Sequence, residues 1–281
     1  MSIQNFNKTY WEAKLQVSLE KTHVAASVAN KSYQGTLKAL DEEVTINQIG
    51  DVTINAYTRR LLLTRQEMQD AAMKLKADQA YYFDFDVNDV DAVQEKPAIL
   101  TATTNKAAYG FRDTADSYLL GLYAQAGLTS YSTGTTPWDV TSLNVQDVLL
   151  DIQEKMARVP LAGRFIICPQ WFHSKLELAG LTNKQDNNAI FTNGMVDRVA
   201  GFDILLSENV SASSTTTWDQ TRIFAGIRGE SFAYADAILK IEAFRPEAGF
   251  EDAVKGLYVF GGKILRPDMT CVAYCDKTAE A

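Results

Sequence analysis

The sequence predicts an α+β fold, and three observations predict it. Helix-period and strand-period segments follow one another without the regular strand and helix alternation of a parallel sheet. The C-terminal part, from Ile223 to Tyr274, is a run of strand-like segments with no helical pattern between them. Residues 77 to 127 form a spine, an alternating strand that passes through an acidic turn into one long helical pattern, and every other segment reads as an attachment to it.

Residues 1 to 34 carry Phe6, Tyr10, Trp11, Leu15 and Leu19 among Lys8, Glu12, Lys14, Glu20 and Lys21, a loose amphipathic pattern. Two readings fit it: an ordinary surface helix, or an arm that docks on a neighbouring subunit. From 35 to 80, Val44, Ile46, Val52 and Ile54 sit in strand-like runs broken by Gly50, and a polar stretch runs from Thr58 to Lys76. That is the pattern of a long hairpin or excursion. Between 59 and 76, Arg59, Arg60, Arg65, Lys74 and Lys76 stand against Glu67 and Asp70, a net charge of plus three. From 84 to 95, Asp84, Asp86, Asp89, Asp91 and Glu95 give minus five. The basic excursion and the acidic neck either pair between subunits or are both solvated faces.

In the strand half of the spine, Ala80, Tyr82, Asp84, Asp86 and Asn88 alternate with Tyr81, Phe83, Phe85 and Val87, the period of two of a strand with one buried face. In the helix half, Phe111, Ala115, Tyr118, Leu119, Leu122 and Ala126 recur at offsets of three and four and lie on one stripe. Gly127 is placed to cap the C-terminus. Gly110 and Gly121 each cost about 1 kcal/mol relative to Ala inside a helix, so both are expected to mark the close approach of another backbone.

Residues 128 to 143, with Ser130, Ser132, Thr133, Gly134, Thr135, Thr136 and Pro137 close together, are a loop by composition and a candidate domain boundary. Val145, Val148, Leu149, Ile152 and Met156 then mark an amphipathic helix, with Asn144 as N-cap and Pro160 beyond its end. The run 164–168 reads as a buried strand, and Pro169 starts a short helix through Leu176. The dipeptide Asn193 and Gly194 predicts a hairpin turn whose second strand feeds the apolar run 201–206. Residues 211–217 read as an exposed loop, and 223–227, 237–244, 256–265 and 269–274 as strands.

Composition excludes several functions. A chain of 281 residues with a net charge of -8 buries a sizeable core and lacks the basic stripe of a dedicated nucleic-acid binder. No apolar stretch of about 18 residues and no signal-peptide core is present, so the expectation is a soluble, unexported protein. The 3 cysteines form no disulfide or zinc pattern and are expected as packed, reduced thiols. His173 lies beside Ser174, but adjacent helix residues do not face each other, and no nucleophile elbow exists. Asp84, Asp86, Asn88 and Glu95 match the oxygen spacing of a calcium loop, except that Asp89 stands where glycine is required, and strand alternation explains the same residues. Gly256 to Lys263 has the wrong spacing for a phosphate loop, with Ile264 in place of Ser or Thr. Glu247 and Glu251 form a carboxylate pair of unfixed separation. No catalytic, cofactor-binding or metal-binding set is assigned.

Four segments together carry a resemblance. They are TyrTyrPheAspPheAspValAsnAspValAspAlaValGln at 81–94 before a long helix, ArgPheIleIleCysPro at 164–169 before a short one, AspArgValAlaGlyPheAspIleLeuLeuSerGluAsnVal at 197–210, and GlyLeuTyrValPheGlyGlyLysIleLeuArgProAsp at 256–268. In this order, across roughly residues 40 to 270, the chain resembles the major capsid proteins of tailed double-stranded DNA bacteriophages, with the Hong Kong ninety-seven type capsid fold. Asp197 departs from the pattern, since such proteins often have Gly before the arginine, and this bears on the local turn.

The resemblance implies an N-terminal arm at 1–39, an extended β-hairpin loop at 40–84, and a peripheral domain with the spine helix at 85–135. It also implies an axial domain at 136–232 and the C-terminal strands of the peripheral domain at 233–281. The implied function is self-assembly into hexamers and pentamers of an icosahedral head that encloses double-stranded DNA without sequence-specific binding. Implied partners are other copies, a scaffolding protein, a portal protein and a decoration protein, with no cofactor and no membrane. The implied location is the virion shell, assembled in the bacterial host cytoplasm. The candidate intersubunit contacts are Arg59, Arg60, Arg65, Lys74 and Lys76 on one side and Asp84, Asp86 and Asp89 on the other. A cellular nanocompartment shell of the same fold is a second reading, and a hydrolase using acidic residues such as Asp84, Asp86 or Glu247 is a third.

Overall fold

The computed structural model describes residues 23–33, 40–49, 54–56, 65, 70–88, 98–180, 195–214, 219–244 and 251–277. In chain order these form α1 (Ala25–Val28), β1 (Glu43–Ile49), β2 (Asp70–Lys76), β3 (Gln79–Asn88), the spine helix α2 (Ala98–Gly121), β4 (Leu128–Thr129) and β5 (Trp138–Val140). There follow α3 (Val145–Lys155), β6 (Arg164–Cys168), α4 (Gln170–Leu178), β7 (Met195–Val199), β8 (Phe202–Leu206) and β9 (Ala212–Ser214). The last elements are β10 (Asp219–Ile227), β11 (Phe232–Phe244), β12 (Glu251–Ile264) and β13 (Cys271–Lys277).

The strands sort into three sheets. An 8-stranded mixed sheet runs β4-β13-β10-β6-β8-β7, with β5 beside β13 and β9 beside β10. A 3-stranded antiparallel sheet runs β11-β12-β3, and β1 and β2 form a separate 2-stranded hairpin. Strand β6 shows why its sequence is a continuous apolar run. Successive side chains point to opposite faces, and both faces are covered: Ile166 and Cys168 pack with α3 and α4, while Phe165 and Ile167 pack with the spine helix and the smaller sheet. A strand buried on both sides has no solvent face to make polar.

The spine helix lies in the second of these layers. Ala115, Leu119, Leu120 and Leu122 join Val24, Val28, Phe224, Phe232, Tyr258, Phe260 and Val272 in one core. A third, smaller cluster fixes the root of the hairpin, where Ile46, Leu75 and Ala77 meet Ala233, Ala235, Val259 and Leu265. The hairpin register runs from Glu43 opposite Lys76 to Ile49 opposite Asp70.

Several local expectations are corrected. The spine helix ends at Gly121 and tightens into a 3-10 turn at Leu122–Gln125, with Ala126 after it, so Gly127 is not its cap. Gly127 instead lies where a Cβ would come 2.7 Å from the Pro267 carbonyl oxygen, to which its own N–H donates at 2.9 Å. Outside their own helix, no described atom comes within 4 Å of a Cβ built on Gly110 or Gly121, so among the described residues no other backbone approaches either. Asn144 makes no side-chain cap to α3; its Oδ1 accepts the Thr141 N–H at 2.8 Å and its Nδ2 donates to the Asp139 carbonyl at 2.6 Å, closing the preceding turn.

The turn at Asn193 and Gly194 lies outside the described residues. The observed hairpin joins β7 to β8 through Ala200 (φ 51) and Gly201 (φ 82), both left-handed as a two-residue primed turn requires. Its register slips between Met195 and Asp197, so the position that departs from the sequence pattern sits at a bulge. Part of the expected 211–217 loop is strand β9, paired with β10. Strand β13, within the run 269–274 read as a strand, is hydrogen-bonded into the 8-stranded sheet.

Candidate functional site

Of the candidate contact residues, Arg59, Arg60 and Asp89 lie outside the described residues. Arg65 is exposed. Lys74 Nζ lies 2.8 Å from Glu43 Oε2, and Lys76 Nζ lies 3.0 Å from Asp41 Oδ1. The hydrogen bond from Lys74 holds the Glu43 carboxyl below its ordinary value, and the bond to Asp41 raises the Lys76 ammonium. These exposed pairs fix side-chain direction along the hairpin root more than they add stability. Asp84 and Asp86 stand on the exposed face of β3. Asp84 is in register with Lys255, whose Nζ lies 3.3 Å from Glu242 and over the Phe244 ring. The structure therefore places the two basic hairpin residues in pairs made within the hairpin, and the acidic row on the outer strand of the smaller sheet.

Three glycines of the 256–268 segment explain its composition. They lie on β12, and each makes room for a different element. A Cβ on Gly256 would come 2.3 Å from the Phe83 ring of β3, and one on Gly262 would come 2.6 Å from Leu119 of the spine helix. One on Gly261 would come 2.0 Å from the Lys76 carbonyl oxygen at the hairpin root. The motif that superficially suggested a phosphate loop is the interior of a strand on which the hairpin, the spine helix and β3 converge.

A second convergence point is Asp116 on the spine helix, which is 1% exposed. Its Oδ1 accepts the Ala25 N–H at 2.7 Å; its Oδ2 accepts the Ser207 hydroxyl at 3.1 Å and the Asn209 amide at 3.4 Å. Asn209 also donates to Asp113 Oδ1 at 2.7 Å, and His23 Nε2 lies 3.5 Å from the same oxygen. Burial pushes the Asp116 carboxyl above its ordinary value, against the opposing effect of these donors. The segment around α1 is tied down again at Asn30, which bridges Ala233 of β11, while Gly229 N–H donates to the Val28 carbonyl at 2.8 Å.

Arg164 is a third buried polar anchor, 3% exposed. Its Nη2 donates to the Met156 and Val159 carbonyls at 2.7 and 2.6 Å, and its Nε donates to Pro160 at 3.0 Å. A cation thus gathers the carbonyls of the turn that follows α3.

Between α1, the spine helix and the smaller sheet lies a cleft of about 560 Å³, floored by Phe83, Phe111, Ala115 and Tyr258 and edged by Lys31 and Arg112. In its wall the Tyr234 and Tyr258 hydroxyls share a hydrogen bond, and Tyr258 donates to Asp236 at 3.2 Å. Burial pushes the Tyr234 phenol up to about 12.

The remaining chemical candidates are placed singly. His173 is buried on α4, 3.5 Å from Glu177, while Ser174 donates to Gln170 in its own helix. Asp84, Asp86 and Asn88 lie along one extended strand, and Glu95 is outside the described residues. Glu251 begins β12, and Glu247 is outside the described residues. The three cysteines are free and buried, and burial raises each thiol. Asp116, Arg164 and Gly261 escaped sequence reading. The available signal for Asp116 was a carboxylate four residues before Leu120, on the inner side of an apolar helix.

The protein-family profile described as phage capsid protein matches residues 51–273. No curated protein matches the sequence. Among solved structures, one from Mycobacterium phage Che8 is similar over 96% of this chain and 97% of that chain, with 23% identity and a TM-score of 0.76. The capsid of cyanophage P-SCSP1u covers 97% and 94% with 16% identity and a TM-score of 0.73. The capsid of Ralstonia phage GP4 covers 96% and 95% with 12% identity and a TM-score of 0.69.

Proposed function

Because the chain belongs to the phage capsid protein family, we propose that it is the major capsid protein of a phage head, assembling through hexamers and pentamers into an icosahedral shell around double-stranded DNA. The observation that carries this reading is the family match across residues 51–273. The chain acts as a structural element, with no catalytic step and no cofactor. Its shell is built in the bacterial host cytoplasm and ends in the virion. Its partners are further copies, a portal protein and a scaffolding protein or domain. An acidic shell suits this task, because enclosed DNA needs confinement more than affinity.

The division of labour follows the elements. Residues 1–39 are the arm and 40–84 the extended loop; 85–135 and 233–281 form the peripheral domain, and 136–232 the axial domain that lines the capsomer centre. The loop lies over a neighbouring subunit, a head-to-tail contact of the kind that closes into rings. Arg59, Arg60 and Arg65, with Lys74 and Lys76 at the root, face the acidic row Asp84, Asp86 and Asp89 of that neighbour. In support, Asp84 and Asp86 are exposed on an outer strand, and Arg65 is exposed on the excursion.

Charge reversal tests the contact. Replacing Arg59 and Arg60 together by Glu is expected to abolish closed shells at low salt in electron micrographs while leaving the circular dichroism spectrum unchanged. Normal shells from the double variant would remove these residues from the interface.

A further inference from the structure

The segment around α1 is anchored by polar contacts at both ends. At its start, Ala25 donates to Asp116; at its end, the Asn30 carbonyl accepts the Tyr234 N–H at 3.0 Å and the Asn30 N–H donates to the Phe232 carbonyl at 2.8 Å. Helix α1 between them has 4 residues, too few to be helical by itself. Its buried apolar contact comes from Val24, Ala25, Val28 and Ala29, all small or β-branched. On the other side Ala26, Ser27 and Lys31 border the cleft instead of a packed surface. The four small buried side chains sit in the core shared by the spine helix and the smaller sheet, and the polar anchors at either end fix the direction of the segment over it.

The carboxylate that anchors its start also anchors a different part of the fold. Ser207 and Asn209 belong to the turn that follows β8 of the 8-stranded sheet, 91 and 93 residues from Asp116 in sequence. We propose that Asp116 is a positioning residue for assembly, coupling the arm to the 8-stranded sheet through one buried carboxylate so that a shift of either is felt by the other. The role in assembly rests on the capsid reading above; the coupling itself does not. The groups that face this carboxylate are His23 from the arm, Asp113 from its own helix, Ser207 and Asn209 from the turn, and Tyr234 from the smaller sheet.

Hydrogen exchange on the full chain tests the coupling. In Asp116→Ala the stranded Ala25 N–H and its neighbours through residue 30 are expected to exchange about tenfold faster, with β6 and β10 unchanged. Ser207→Ala, which removes a contact on the far side of the carboxylate, is expected to speed the arm by about threefold. Asp116→Asn keeps an acceptor for Ala25 and a donor for Ser207, and is expected to hold the arm within about twofold of the parent chain. Unchanged arm exchange in Ser207→Ala overturns the coupling, and so does an acceleration in Asp116→Ala that spreads equally to β6. Should Asp116→Ala fail to fold, Ser207→Ala and Asp116→Asn decide the matter. Micrographs of the parent chain test assembly separately: absence of shells there removes the capsid reading and leaves the exchange result standing.

Discussion

Asp116 carries a charge into a site that is 1% exposed, and the sign of its effect on stability follows from its pKa. Burial raises the carboxyl above its ordinary value of 3.8. Between that value and the raised one, the folded state retains a proton that the unfolded chain has already released. Stability therefore falls as pH rises through this window and is flat above it. Asp116→Asn has nothing to titrate at this site. Its stability relative to the parent chain is expected to increase on going from about pH 4 upward and then to level off. Urea unfolding of both chains across that range measures it, and a pH-independent difference would show that burial does not dominate here. Arg164 shows the complementary solution, a buried cation whose charge is spread over three carbonyls at 2.6 to 3.0 Å.

Among the elements, the hairpin root rests directly on β12 at one glycine, Gly261. Gly261→Ala places a Cβ about 2.0 Å from the Lys76 carbonyl oxygen, a backbone atom that a flexible side chain cannot relieve. The expected cost is about 1 to 3 kcal/mol by denaturant unfolding, with β1 and β2 exchanging faster and β6 unaffected. An unchanged midpoint would mean that the hairpin root moves freely over β12.

The elements that sequence reading found are those whose burial pattern is complete within the segment. The apolar stripe of α3 is buried at Val145, Val148, Leu149 and Ile152, and the unbroken run of β6 is buried on both faces. What escaped depends on partners far along the chain. Ala200 gives no turn signal of its own and adopts positive φ because the β7 and β8 ladder imposes it. Asn144 looks like a cap and spends both polar atoms on the preceding turn. The same divide runs through the site. The charges of Lys74, Lys76, Asp84 and Asp86 are plain in sequence, but the pairing of the two lysines with Glu43 and Asp41 required the hairpin register. Asp116 required contacts 91 residues distant.

At the scale of the whole molecule, the 8-stranded sheet is the wall on which everything else is mounted. One of its faces carries α3 and α4, and the other carries the spine helix, α1 and the smaller sheet. The hairpin projects from the smaller sheet, held at its root by the cluster of Ile46, Leu75 and Val259. The proposed role of the hairpin is contact with a neighbouring subunit, of the head-to-tail kind that closes into rings. Contacts between exposed charges weaken as salt screens them, so assembly through the hairpin is expected to be sensitive to ionic strength. The central claim is that identical copies close into a shell, and its most direct test is electron microscopy of the purified chain at high concentration and low salt. Closed particles built from many copies of a 31.1 kDa subunit are the expected result. A dispersed 31.1 kDa monomer at every concentration and salt condition, with and without a scaffolding partner, would contradict it.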